Sequence, residues 1–179
     1  MSRAAALPPF MKTKTFLMSS AAALALLMSA AAFLPPGDSA LCASEYAKDA
    51  YASAFRYCQK ACIYQNDGLG CTKLGALYYH GRGVEQDYTR AKHYLEKACS
   101  QNVGLGCTGL GLFYDEGRGV KQDYKQAKTY YEKACSLNDG TGCAGLGLLY
   151  DQGLGVKQNK KVSKEYYSKA CDLGIDRFC

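Results

Sequence analysis

Histidine is nearly absent. The chain has only His80 and His93, and no Cys-x2-Cys pair, so the ligand cluster of a zinc site cannot be assembled at its usual spacings. No Ser-x-x-Lys occurs beyond residue 32, which removes the helical turn that brings a lysine base to a serine nucleophile. Lysine and arginine form no run and alternate with acidic residues, and no RNA-reading motif is present, so nucleic acid is a poor match. Glycine and proline are missing from residues 40–62, leaving helix-forming composition there. No cofactor or metal is expected.

The leading residues read as a targeting segment. After Lys12 and Lys14 comes the apolar, small-residue run FLMSSAAALALLMSAAAFLPP, with an Ala-x-Ala site at residues 30–32. This is the three-part pattern of a secretory signal peptide over residues 1–32, with Met11 opening a conventional basic n-region. A retained membrane anchor is the alternative, since the run is nearly long enough to span a bilayer. Small residues before Phe33 and the lack of a second apolar span favour cleavage. Leu41 stands before Cys42 where lipid attachment wants a small residue. Cleavage removes Arg3, Lys12 and Lys14, half of the formal charge of +6, and leaves all ten cysteines in the mature part. An even number of cysteines sent to an oxidising compartment points to disulfides.

What the chain does have is periodicity. The stretch opening CTKLGALYYHGRGVEQDY is followed, without a gap, by CTGLGLFYDEGRGVKQDY and CAGLGLLYDQGLGVKQNK, at a period of 36 residues. A period of that size signals stacked repeats. In residues 71–80, Leu74, Leu77 and Tyr78 share one helical stripe. Gly81 and Gly83 end that helix, and Asp87 N-caps a second one carrying Tyr88, Ala91, Tyr94, Leu95 and Ala98. Each unit is therefore an all-α helical hairpin, and one hairpin alone buries too little to be stable. The divisions read as a linker and truncated N-terminal capping repeat over 33–70, then full repeats over 71–106, 107–142 and 143–179. In the capping repeat, YASAFRYCQKAC matches the second helix, and the residues before it leave no room for a complete partner.

Cysteines close each turn. Cys99 with Cys107, Cys135 with Cys143, and Cys171 with Cys179 are eight residues apart, and Cys62 with Cys71 nine. A helix that stops, turns and restarts antiparallel brings such ends within disulfide reach. Cys42 and Cys58 remain, and an unbroken helix would hold them about 24 Å apart. A turn within residues 43–50 is expected to bring this fifth pair, Cys42 with Cys58, together.

The pattern LGxLYxxGxGVxQDYxxAxxYYxKAC, with the Cys-x7-Cys spacing, resembles the Sel1-like repeat, a relative of the tetratricopeptide repeat, and in particular the cysteine-rich members of Helicobacter and related bacteria. The resemblance implies a right-handed α/α superhelix of disulfide-linked hairpins, secreted or periplasmic. It also implies penicillin binding and weak β-lactamase activity, although no recognisable catalytic motif supports a hydrolase and the catalytic residues are unknown. The third repeat departs from the pattern at Asn159, Lys160, Val162 and Ser163.

Solenoids of helical pairs present a concave face lined by the first helix of each pair. Positions there that vary between copies are binding candidates: Lys73, Tyr79, His80, Asp115, Glu116, Asp151 and Gln152. A solvated helix face is the competing reading for each. Tyr78, Tyr114 and Tyr150 recur in every copy and read as core. Two functions stand. One is an exported scaffold that holds a protein or peptide in its groove. The other is a hydrolase acting on β-lactams or peptidoglycan-like amides. A purely structural envelope spacer is a third.

Overall fold

The computed structural model describes residues 36–179, so the expected signal peptide over 1–32 lies outside the described residues. Eight α-helices and no strand occur among them: α1 (Asp38–Ala47), α2 (Tyr51–Ile63), α3 (Gly68–His80), α4 (Tyr88–Ser100), α5 (Gly104–Glu116), α6 (Tyr124–Ser136), α7 (Gly140–Gln152) and α8 (Lys160–Asp172). A 3-10 turn at Asp176–Phe178 follows. No described helix is long and apolar enough to cross a membrane.

Local chemistry sets each boundary. The free amides of the second helices are taken up by Asp87, Asp123 and Asn159, whose side chains accept from backbone N–H groups of the first turn. The first helices end at Gly81, Gly117 and Gly153, all left-handed. Their last carbonyls would otherwise lack partners. Gln86, Gln122 and Gln158 supply them, each Nε2 donating at 2.7 Å to the carbonyl of Tyr79, Asp115 or Asp151. Gly119 has a second task, because a Cβ there would lie 2.4 Å from the Cβ of Tyr88 in the preceding hairpin.

The hairpins are α1–α2, α3–α4, α5–α6 and α7–α8, and each second helix packs on the next first helix. Fully buried leucines, Leu74, Leu77, Leu110, Leu146 and Leu149, fill the layers together with Phe113 and Tyr131. Ala61, Ala98 and Ala134 are completely covered, and their size lets the glycine-rich start of the next helix come close. Tyr78 is buried, while Tyr114 and Tyr150 are half-buried. These three stack on Tyr94, Tyr130 and Tyr166 at 5.6–5.8 Å. Their rings are used in packing.

All ten cysteines are paired. Cys62–Cys71, Cys99–Cys107 and Cys135–Cys143 tie the end of one hairpin to the start of the next, with Cα separations of 4.5–4.6 Å. Cys171–Cys179 continues the series beyond α8, and Cys42–Cys58 joins α1 to α2. Between these two helices the chain turns through Lys48, Asp49 and Ala50, with Asp49 left-handed at φ 57°.

One detail adds to the sequence reading and one differs from it. The first hairpin has a shortened first helix, ten residues against thirteen in the others. The other first helices begin at Gly68, Gly104 and Gly140, three residues before the cysteines taken as repeat starts. The turn itself is made by left-handed Asn66, Asn102 and Asn138, since asparagine tolerates that conformation better than most side chains. The glycines after it belong to the helix, where they permit close approach.

Candidate functional site

The first helices touch in series, α1 to α3, α3 to α5 and α5 to α7, with no comparable series among the second helices. They therefore form the inner side of the stack. On each, the positions three and four apart that face away from the partner helix line a groove. Two cavities follow one another along it. One, of about 370 Å³, lies between α3 and α5; the other, of about 380 Å³, lies between α5 and α7. Thr108, Leu112 and Thr141 belong to both, so the groove is continuous. Its apolar lining is open to solvent: Leu105 is 45%, Leu112 39% and Leu148 38% exposed.

Glycine creates the depth. At the position of Lys73 in α3, α5 has Gly109 and α7 has Gly145. A Cβ at either would come within 2.9 Å of the side chain behind it, Leu95 or Tyr131. Those two side chains are the cavity floors.

Of the residues proposed from sequence, Lys73, Tyr79, His80 and Glu116 line the first cavity and Asp115 the second. Asp151 and Gln152 line neither, and Asp151 Oδ1 accepts from Lys160 Nζ at 2.8 Å. Lys73 Nζ stands 5.8 Å from the centre of the Tyr46 ring. Tyr79 donates to Glu116 Oε2, which also pairs with Arg118 Nε at 2.8 Å. Burial, then the bond to Glu116, pushes the Tyr79 phenol well above its ordinary value. Burial first, then repulsion from Arg82 and Arg118, holds the His80 imidazole below its usual range. Burial also raises the Asp115 carboxyl, partly opposed by the hydrogen bond from Tyr131 Oη at 3.2 Å.

The sequence reading missed the apolar lining. Leu105, Leu112 and Leu148, the floor residue Tyr131, and Arg177 and Phe178 at the far end were not singled out, and the other floor residue, Leu95, was placed only on a helical stripe. A signal for part of it existed, because Lys73/Gly109/Gly145 and Ala76/Leu112/Leu148 also vary between copies. Weighting polar side chains hid the apolar half of that variation.

The model of the Sel1 repeat matches residues 47–63, 68–103, 104–139 and 141–175, one segment per hairpin. Three solved structures share the fold. A Sel1 repeat protein from Oxalobacter formigenes aligns with a TM-score of 0.71 and 28% identity over 82% of this chain. A protective antigen present in uropathogenic Escherichia coli strains gives 0.65 and 31% over 72% of it. Cysteine-rich protein B of Helicobacter pylori gives 0.57 and 40% over 70% of it, and 90% of its own length is covered. The chain spans 64% of the Oxalobacter protein and 27% of the Escherichia coli one. No curated protein matches it significantly. With the matched segments taking up well over half the sequence and falling on successive hairpins, the chain belongs to the Sel1 repeat family.

Proposed function

We propose that this protein is an exported, disulfide-stapled scaffold that holds a segment of another protein in its inner groove. The observation that carries this reading is the row of solvent-open leucines, Leu105, Leu112 and Leu148, in a continuous groove on the face where the first helices meet. Exposed apolar side chains gathered in one concavity are the usual mark of a docking site. Repeats of this kind serve protein interaction, and five disulfides suit an extracellular or periplasmic setting. Removal of residues 1–32 on export belongs to the same proposal. A mature mass beginning at Phe33 supports it, and a full-length mass overturns it.

The β-lactam reading would draw on Tyr79, His80 and Glu116. The raised Tyr79 phenol opposes the phenolate that attack on an amide requires, and Glu116 is already engaged by Arg118. The interaction reading is therefore the better supported. Selection of random peptides on the oxidised protein tests it. Enriched peptides should bind wild type and lose most of their affinity for Leu112→Gln, a change at an exposed position that leaves the fold intact. Absence of enrichment, or binding indifferent to Leu112, sinks the reading. Saturable turnover of a chromogenic β-lactam that disappears on disulfide reduction would put an enzyme in its place.

A further inference from the structure

The spacing of the two cavities restricts what an occupant can be. First helices that pack in series lie about 8–10 Å apart. One cavity sits in each gap, so the apolar stations repeat at about that interval. A β-strand returns a side chain to the same face every second residue, about 7 Å, and next at about 13 Å. Neither distance fits. A polyproline-II chain rises about 3.1 Å per residue and returns to the same face after three, about 9 Å. That conformation places successive same-face side chains in successive cavities.

Charge adds a second restriction. Lys73 stands at the α1 end, in the lining both of the first cavity and of a further one of about 480 Å³ between α1 and α3, and among the described residues it is in no ion pair. Arg177, its guanidinium 4.6 Å from the centre of the Phe178 ring, stands at the other end and is likewise in none. Of the acidic groups between them, Glu116 is paired with Arg118, while Asp115 accepts only from the neutral Tyr131 hydroxyl and keeps a carboxyl in the second cavity. The cations free to meet acidic groups of a ligand are Lys73 at one end and Arg177 at the other.

We infer that the groove recognises an extended, polyproline-II-like peptide carrying two apolar side chains three residues apart, flanked by acidic side chains. This rests on the peptide-groove reading above and deepens it.

Fluorescent peptides titrated into the oxidised protein test it. Their two leucines are set two, three or four residues apart in a proline-rich background, with glutamate or lysine as the flanking residues, and both chain directions are made. The three-residue spacing should bind about tenfold more tightly than the others, the size expected when a leucine is lost from its cavity. Glutamate flanks should be preferred over lysine by about threefold or more, with the preference shrinking as salt rises from about 50 to about 500 mM. Lys73→Glu should weaken or reverse that preference while keeping the spacing preference. Equal binding at all spacings, or no preference for acidic flanks, overturns this inference and leaves the groove reading standing. If no peptide of any spacing or charge binds, the groove reading falls, and this inference with it.

Discussion

Single side chains decide how closely the hairpins stack. Gly119 is left-handed at φ 67°, and a Cβ there would lie 2.4 Å from the Tyr88 Cβ of the preceding hairpin. Gly119→Ala must both hold a strained conformation, at about 1–2 kcal/mol, and push two hairpins apart, at about 1–3 kcal/mol. Urea unfolding should show a loss of about 2–5 kcal/mol. Gly174→Ala, left-handed at φ 88° with nothing within 4 Å, is the matched control and should lose only the conformational part, about 1–2 kcal/mol. His80 gives a pH signature. Its folded pKa is depressed, so the unfolded chain binds the proton more readily, and the stability this group contributes is present above about pH 6.5 and lost as pH falls through the folded value. Asp115 has the opposite slope from its own raised pKa, at lower pH. Subtracting the stability profile of His80→Gln from that of wild type isolates the histidine. The difference should decline as pH drops from about 7 to about 5, and a flat difference would refute the assignment.

At the scale of one helix, the copies are not equivalent, and the difference is testable. Asp67 and Asp139 cap α3 and α7, but Val103 stands before α5 and offers no side-chain bond. Thr108 Oγ1 donates to Asp139 Oδ1 at 2.9 Å, whereas Thr72, facing Val103, turns back to the Gly68 carbonyl at 2.9 Å. Val103→Asp would restore both partners. Compared with Val103→Ala, which loses the same packing without gaining a cap, it should be more stable by about 1 kcal/mol. The gap should close in acid as the carboxyl protonates. The hairpins themselves were legible because leucine and tyrosine spacing, the Gly81 and Gly117 stops, and the Asp87 and Asp123 caps all act locally. The helix starts were less so: GLG reads as a loop until the approach to Ala61 or Ala98 is known. The apolar groove was the hardest part. Leu105 and Leu112 carry the same residue type as the core, and only the stacking of α3, α5 and α7 reveals that they face outward.

The described residues form a narrow stack in which each layer touches mainly its neighbours, so stability depends on how adjacent hairpins are joined. The bridges between consecutive hairpins each close a loop of about nine residues and contribute about 2.5 kcal/mol apiece on the chain-entropy model. Together they rival the whole stability of an ordinary domain, about 5–15 kcal/mol. Lysine bonds reinforce two of the junctions: Lys97 Nζ donates to the Cys62 carbonyl at 2.7 Å, and Lys133 Nζ to the Cys99 carbonyl at 2.9 Å. The bridges differ in access. Cys42, Cys58, Cys62, Cys71, Cys99, Cys107, Cys135 and Cys143 are all buried, while Cys171 is half-buried and Cys179 exposed. Thiolate attack needs access to a sulfur, so a dithiol should open Cys171–Cys179 first and alone, with helicity retained. The remaining four should then yield together, because reaching any one of them requires the stack to separate. Quenched alkylation followed by mass spectrometry reads the order directly. A species with one bridge reduced, mapping to Cys171 and Cys179, should accumulate before circular dichroism changes. If the first bridge to open is Cys99–Cys107 or Cys135–Cys143, or if all five open in step with unfolding, burial does not protect the interior junctions and the layered account of stability is wrong.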